Sequence, residues 1–222
     1  MRRAPWILLA VFSALSGCGA RGCSTSARPP VLVKGSSPGA TKVRLVEEER
    51  DIIIDVAPTA DGAWTIAVPA SAAKAPRILV EGAGGSRVVS GQISVDEGDV
   101  TMVPLRPWRS PVEVKREGPR VRFSWPPIGG GAGVPPVVRY SLLFSFAATK
   151  ESGLEHGEAT LVTGATEAIQ DLDELATLLR DRDPAKRQVT VTVRAYDPRD
   201  PTGPTWSGGP QDWELPADMP AK

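Results

Sequence analysis

The stretch VTVTVRAY, residues 189–196, places valine or alanine at every second position and threonine, arginine or tyrosine between them. Successive side chains of a β-strand point to opposite faces, so this alternation predicts a strand with one face in a core and the other in solvent. A strand of this kind belongs to an antiparallel sheet that is covered on one side only. The stretch therefore predicts an all-β protein with its sheets packed face to face.

Similar short runs lie on both sides of this strand. They predict further strands at residues 31–33, 42–46, 52–56, 64–68, 78–80, 88–95, 100–105, 112–114, 121–125, 138–146 and 213–215. The run at 52–56 is apolar enough to be buried on both faces, and the turn before Trp64 contains Asp61 and Gly62, which accept tight-turn geometry. Strands of this length and spacing favour antiparallel, immunoglobulin-like β-sandwiches over folds with crossover helices.

The pattern predicts two sandwiches in tandem, with the boundary after residue 107. Pro104, Pro107 and Pro111 surround Trp108 there, and prolines at this density make a semi-rigid connector. Trp108 either packs between the two domains or covers the base of one of them.

One segment of the second half is predicted to be helical instead. Asp171 and Glu174 have the spacing of a capping box, and four leucines follow on one side of the helix. These are Leu172, Leu175, Leu178 and Leu179. We expect a short helix within residues 171–182 that covers one open end of the second sandwich.

The first half, residues 31–107, carries four segments that support a family comparison. They are SPGATKVRL at 37–45, APTADGAWTIAVPA at 57–70, RILVEGAGG at 77–85 and GQISVDEGDVTMVPL at 91–105. This half resembles the carboxypeptidase regulatory-like domains, which are small transthyretin-type β-sandwiches. The resemblance implies an accessory domain without catalytic residues.

The second half, residues 108–216, resembles a fibronectin type III domain. The resemblance rests on Ser124-Trp125-Pro126, on Tyr140 in the third strand, on the segment at 172–175 and on the pattern V-x-V-x-A-x-D at 191–197. Two features depart from that family: its tyrosine at the head of the sixth strand is replaced near Gln188, and a helix is predicted at 171–182. Residues 217–222 are left as a tail.

The amino-terminal segment predicts the location of the protein. Met1-Arg2-Arg3 precedes an apolar run at 4–14 that is too short to span a bilayer, and Leu15-Ser16-Gly17-Cys18 follows. These last four residues resemble the lipobox of bacterial lipoproteins. The resemblance implies that 1–17 is a cleaved signal peptide, that Cys18 carries lipid and that 18–30 is a flexible tether. An ordinary cleaved signal with a coincidental cysteine is the alternative.

Several further expectations follow for the processed chain. In the lipoprotein family an aspartate after the lipidated cysteine commonly signals inner-membrane retention, so Gly19 favours the outer membrane.

The chain has 26 basic and 26 acidic residues, and the signal peptide contains two arginines and no acid, so no basic surface for nucleic acid is expected. Without Cys18, Cys23 has no intramolecular partner, so it is either a passive linker residue or forms an intermolecular disulfide.

Catalytic and metal-binding patterns are weak. His156 is the only histidine, and we therefore predict no catalytic residue and no cofactor. Glu151, Glu155 and Glu158 surround it in a segment predicted to be a loop, but they lack a defined ligand spacing, and a solvated loop explains them better than a divalent cation. An enzyme that uses carboxylates alone is a further alternative.

The remaining candidate site is aromatic. Trp206 and Trp213 either form a stacking surface for sugar rings or close an edge of the sandwich. The sequence as a whole predicts a non-enzymatic, lipid-anchored envelope protein whose two sandwiches serve protein interaction or scaffolding. The alternative is a carbohydrate- or peptidoglycan-binding module that uses the two tryptophans.

Overall fold

The computed structural model describes residues 30–47, 54–68, 76–94, 98–130, 133–149 and 155–220. The predicted signal peptide, Cys18, Cys23 and Glu151 lie outside these residues, as do 52–53 of the predicted third strand and 221–222 of the predicted tail. No helix in the described ranges is long and apolar enough to cross a membrane.

The described chain is all-β with one short α-helix, which confirms the predicted fold class. In the first half the strands are β1 (Val31–Ser36), β2 (Ala40–Val46), β3 (Ile54–Val56), β4 (Ala63–Val68), β5 (Arg77–Gly82), β6 (Arg87–Val89) and β7 (Val100–Thr101). In the second half they are β8 (Glu113–Glu117), β9 (Arg120–Ser124), β10 (Arg139–Ala147), β11 (His156–Thr163), β12 (Glu167–Asp171), β13 (Gln188–Tyr196), β14 (Thr205–Ser207) and β15 (Gln211–Glu214). The helix α1 (Leu172–Leu178) lies between β12 and β13, and a 3-10 turn (Ala83–Gly85) lies between β5 and β6.

The strands form three sheets. Two are three-stranded, in the orders β4-β1-β7 and β12-β9-β8. The third has nine strands, in the order β11-β10-β13-β14-β6-β5-β2-β3, with β15 also paired to β13. All described pairings are antiparallel except that of β1 with β7. The nine-stranded sheet runs through both halves of the chain.

The first half places alternate residues of its strands in the core, as the sequence predicted. Val43 and Leu45 of β2 are fully buried, and Trp64, Ile66 and Val68 of β4 share one buried face. The prediction that the strand at 52–56 is buried on both faces was wrong. Its described part, β3, lies at the edge of the nine-stranded sheet, and Asp55 at its centre is exposed. Ile54 and Val56 point to the packed face and Asp55 to the opposite, solvent-facing side, so the strand is not buried on both faces. The strand predicted at 88–95 is also shorter and ends at Val89.

The turn between β3 and β4 holds the first half together locally. Gly62 has φ of +87°, a value that other residues rarely adopt, and a Cβ there would lie 2.8 Å from the backbone nitrogen of Pro38. The indole nitrogen of Trp64 donates a hydrogen bond of 2.9 Å to the hydroxyl of Ser37, which is fully buried. The Asp-Gly turn therefore docks directly on the start of β2.

The second half contains three strands that the sequence pattern did not predict, β11, β12 and β14. The helix is present and buries Leu172, Leu175 and Ala176, and Leu179 directly after it is buried as well. The predicted capping box does not form, because the carboxylate of Asp171 makes no hydrogen bond to the helix backbone. It accepts a hydrogen bond of 2.9 Å from the guanidinium of Arg120 instead.

The two halves meet along one strand pair. Thr205, Trp206 and Ser207 of β14 pair with β6 of the first half and with β13 of the second. The hydrophobic core is likewise one cluster with residues from both halves. A domain boundary after residue 107 stays a prediction, and the structure shows that a continuous sheet crosses it.

Close backbone packing accompanies this strand pair. Gly209 lies so near the carbonyl oxygen of Gly84 that an added Cβ would collide with it, and a Cβ on Gly208 would lie 2.7 Å from the carbonyl oxygen of Ser110. Pro107 packs as closely against Gly82. The connection between the halves therefore leaves no room for side chains at these glycines.

We predict that Gly209→Ala weakens the connection between the halves. The added methyl group overpacks a backbone contact, and overpacking costs about 1–3 kcal/mol. The free energy of unfolding in urea measures the effect. Gly164→Ala is the matched control, since a Cβ at Gly164 meets nothing within 4 Å. Equal stability of the two variants would contradict the packing described.

A second prediction concerns Asp61 and pH. The hydroxyl of Thr59 donates to the Asp61 carboxylate at 2.5 Å, and together with the backbone N–H of Ala63 it holds the pKa of Asp61 below its ordinary value of 3.8. A lowered pKa means that the ionised carboxylate of Asp61 stabilises the folded protein. This stabilisation is complete above the pKa of Asp61 in the unfolded chain, and it is lost as pH falls through the pKa of Asp61 in the folded protein.

The variant Asp61→Asn therefore loses most stability near neutral pH, and the difference from the native protein shrinks below about pH 4. Urea unfolding at a series of pH values tests this. A difference that stays constant down to pH 2 would rule out the carboxylate as its source.

Candidate functional site

An open groove lies on the outer face of the nine-stranded sheet, at the end formed by β10, β11, β13 and β15. Its volume is about 560 Å³. Alternate residues of these strands point away from the core, and they line the groove with polar groups. The polar lining consists of Ser145, His156, Glu158, Lys186, Gln188, Thr190 and Asp212. No aromatic side chain projects from this outer face into the groove as a platform, since Phe146 is buried.

Most of these polar groups are available to a ligand. The hydroxyl of Thr190 donates to the carboxylate of Asp212 at 2.9 Å. The side chains of His156, Glu158, Lys186 and Gln188 have neither a hydrogen bond nor an ion pair with any described residue. The groove thus offers hydrogen-bond donors and acceptors together with an ammonium group and carboxylates, and most of them lie on paired strands.

The acidic cluster around the histidine is placed differently from the prediction. His156 and Glu158 do not lie in a loop; they occupy alternate outward positions of β11, opposite Ala147 and Ser145 of β10. Glu155 directly precedes this strand, and Glu151 lies outside the described residues. Across the part of the chain that the structure describes, no group of three His, Cys, Asp or Glu residues is arranged to hold a metal ion.

Trp206 and Trp213 do not form a shared exposed surface. Trp206 is 2% exposed and points into the core, where β14 lies between β6 and β13. Trp213 is half-buried, and its ring meets that of Phe123 edge to face at 5.3 Å between centroids. A sugar ring has no access to Trp206 in this arrangement. Both indoles close parts of the sandwich core, the second of the two roles considered for them.

A third aromatic group lies where the proline-rich connector meets the second half. Tyr140 contacts Trp108 at 5.8 Å and Trp125 at 5.9 Å between ring centroids, and all three side chains are buried. The hydroxyl of Tyr140 accepts a hydrogen bond of 3.2 Å from the backbone of Ile128. Trp108 therefore packs against aromatic residues of the second half of the chain.

Most of the groove was not identifiable from sequence. The alternation in 189–196 places Thr190 on the outer face, but Asp212 and Glu158 reach it only because β15 and β11 pair within the same sheet. Gln188 and Lys186 precede the alternating run and carry no motif. Strand register, which the sequence did not reveal, brings these groups together.

Comparisons with known proteins add structural likeness alone. No protein-family model matches the chain, and no curated protein matches it. Among solved structures the chain is similar to a protein of Bacteroides uniformis ATCC 8492 whose carbohydrate-binding role is itself a proposal, at 15% identity. The match covers 84% of this chain and 100% of that one, with a TM-score of 0.28. At this score no argument about fold or function rests on it.

We predict that Trp206 serves stability and not ligand stacking. Trp206→Ala removes a fully buried indole from the strand that joins the halves, and such truncations cost about 3–5 kcal/mol. Urea unfolding monitored by circular dichroism measures the loss. The prediction would be contradicted if Trp206→Ala unfolded at the same urea concentration as the native protein but was no longer retained on a glycan resin, because the indole would then serve ligand binding.

Proposed function

We propose that this protein is a non-catalytic, lipid-anchored component of a bacterial cell envelope that presents two β-sandwiches to a binding partner. The observation that carries the proposal is the nine-stranded sheet, which spans both halves and holds the polar groove described above on its outer face. Tandem domains usually move relative to each other unless their interface is extensive. A shared sheet favours a rigid presenting surface over a flexible spacer.

The membrane anchor is supported by sequence alone. The residues Leu15-Ser16-Gly17-Cys18 follow a charged start and an apolar run, and Gly19 favours the outer membrane among lipoproteins. One acyl chain binds a membrane only marginally, whereas the several chains implied by the lipoprotein resemblance hold it stably. The protein is therefore proposed to lie close to the membrane, with its folded part beyond a tether that starts at Cys18.

The proposed domain types are a carboxypeptidase regulatory-like domain followed by a fibronectin type III-like domain. The support is that each half contains a three-stranded sheet whose buried residues share a core with the nine-stranded sheet. Trp125 and Tyr140, two of the residues on which the second resemblance rests, are buried. Both families are typical of accessory or interaction modules.

Absence of catalysis is part of the proposal. Within the described chain the imidazole of His156 makes no hydrogen bond to a hydroxyl or a carboxylate, so no nucleophile and base pair is preassembled there. The carboxylate of Asp171, the other acid considered, is bound to Arg120. These contacts favour binding over turnover.

Carbohydrate or peptidoglycan binding is the second candidate function. Its support is the polar groove, which is lined by an amide, two carboxylates, an ammonium group and hydroxyls. Apart from the hydrogen bond between Thr190 and Asp212, most of these groups are not bonded to one another. Such groups match the hydroxyls of a sugar. The proposed site accordingly moves from the two tryptophans to Glu158, Gln188 and Asp212.

The anchor is tested by crosslinking in intact cells with the native protein and with Cys18→Ala. We expect the native protein to fractionate with membranes and to capture envelope components, and the variant to do neither. Membrane association that survives Cys18→Ala would overturn the anchor while leaving a soluble binding role open.

The groove is tested with the double variant Glu158→Gln, Gln188→Ala. We expect at least a tenfold loss of partner or glycan capture, since each lost hydrogen bond to a charged group costs about 1.5–3 kcal/mol. Glu113→Gln is the matched control, because Glu113 is exposed on β8 of the opposite sheet. Equal capture by both variants would exclude the groove.

A further inference from the structure

Three exposed arginines lie on the outer face of the nine-stranded sheet, where the two halves meet. Arg87 of β6 is opposite Ser207 of β14, and Ser207 is opposite Arg194 of β13. Directly paired residues share a face, so Arg87 and Arg194 project from the same side, two strands or roughly 10 Å apart. Arg139 of β10 is a diagonal neighbour of Arg194 on that face.

A tyrosine lies among these arginines. Tyr196 alternates with the buried Ala195 and is itself half-buried on the outer face. Its direct cross-strand neighbours are Arg139 on β10 and Thr205 on β14. Arg194 is two residues earlier on the same strand, so Tyr196 is flanked by two guanidinium groups. No sequence motif marks Tyr196 as a functional residue.

The three positive charges are not compensated within the described chain. Arg87, Arg139 and Arg194 make no ion pair or side-chain hydrogen bond there. This set of unpaired cations on one face produces a local positive potential in a protein whose charges otherwise balance.

The neighbouring carboxylates are already engaged by other arginines. Glu81, opposite Arg87, accepts from Arg44 at 3.3 Å. Asp197, next to Tyr196, is bound by Arg199 at 3.0 Å, and this hydrogen bond lowers the pKa of Asp197. Neither acid neutralises the outer-face arginines, so an external anion is the natural counterion.

We propose that Arg87, Arg139, Arg194 and Tyr196, which we call the junction surface, bind an acidic polysaccharide. Guanidinium groups hold carboxylates through paired hydrogen bonds, and a tyrosine ring stacks on the apolar face of a sugar. Ser207 lies between Arg87 and Arg194, and Thr205 lies beside Tyr196, so that their hydroxyls suit the hydroxyls of the same chain.

The geometry favours a glycan over a membrane or a protein. The four side chains of the surface include no large, fully exposed apolar group to insert into lipid or fill a protein pocket, since Tyr196 is half-buried. The exposed Val162 lies outside it, across Ser141 on β11. An acidic polysaccharide repeats carboxylates and hydroxyls along an extended chain, which matches the guanidinium and hydroxyl groups of the surface.

The junction surface is separate from the polar groove and depends on the union of the halves. Arg194 is four residues along β13 from Thr190 in the groove, roughly 13 Å. Arg87 comes from the first half, while Arg139 and Arg194 come from the second. The full surface therefore exists only when β6 and β14 pair. It requires neither the lipid anchor nor a partner in the groove.

The test uses the purified full-length protein with Cys18→Ala, so that no lipid drives binding. The probe is polygalacturonate, and dextran is the neutral control. We expect binding of polygalacturonate alone, about tenfold weaker in Arg194→Gln and in Tyr196→Ala. Arg194→Lys should also bind more weakly, because lysine keeps the charge but lacks the planar fork.

Arg180→Gln is the matched control for net charge, since Arg180 is exposed after α1 and belongs to none of the junction strands. The adjoining Asp181 and Arg182 lie beside Thr149 and Ala148, past the end of β10 that is remote from Arg139. Retained binding by this variant supports the proposal, and an equal loss would show a general charge effect and overturn it. Absence of polygalacturonate binding, or binding only to vesicles of equal parts phosphatidylcholine and phosphatidylglycerol, would overturn it as well. Circular dichroism of each variant checks that it is folded.

Discussion

The pairing of β6 with β14 is the constraint on which the rest of the structure depends. Each strand is only three residues long, and each is also paired on its other edge, β6 with β5 and β14 with β13. Together they convert two groups of strands into one nine-stranded sheet. Trp206, at the centre of β14, is buried at this junction, and the glycines at 208 and 209 let the backbones approach. The β6–β14 junction is thus stabilised by backbone hydrogen bonds, by the buried indole of Trp206 and by close backbone packing.

This junction determines what the outer face can present. Without it, each half would offer a small sheet of its own, and the connector around Trp108 would set their relative orientation. With it, the polar groove and the junction surface lie on one sheet at a fixed separation. A rigid surface loses less conformational entropy on binding than two mobile domains would, which favours a presenting role.

The sequence predicted well those features that depend on local alternation. Val43, Leu45, Trp64 and Ile66 are buried as expected, and the strand at 189–196 is the central strand of its section of the sheet. Alternation reports which face of a strand is buried, and it does so without knowledge of the neighbouring strand. The short helix was also predictable, because its leucines recur with helical spacing.

Features that depend on distant pairing were not predictable. The segment at 205–207 is too short to carry a periodic signal, and nothing in it indicates a partner more than a hundred residues away. The strand from His156 was mistaken for a loop because its outward positions are charged and its inward ones include Gly157. Trp206 was taken as a candidate ligand platform because residue type alone does not reveal which face an indole occupies. The polar groove and the junction surface were not predictable for the same reason, since the register of paired strands brings their residues together.

The most direct test of the shared sheet is a distance measurement between the halves by pulsed electron spin resonance. Spin labels at Thr65→Cys and Thr160→Cys, in a background with Cys18→Ala and Cys23→Ala, place one probe on an exposed position of each half. A continuous sheet predicts a single narrow distance distribution. A broad or bimodal distribution would show that the halves move independently and would contradict the account.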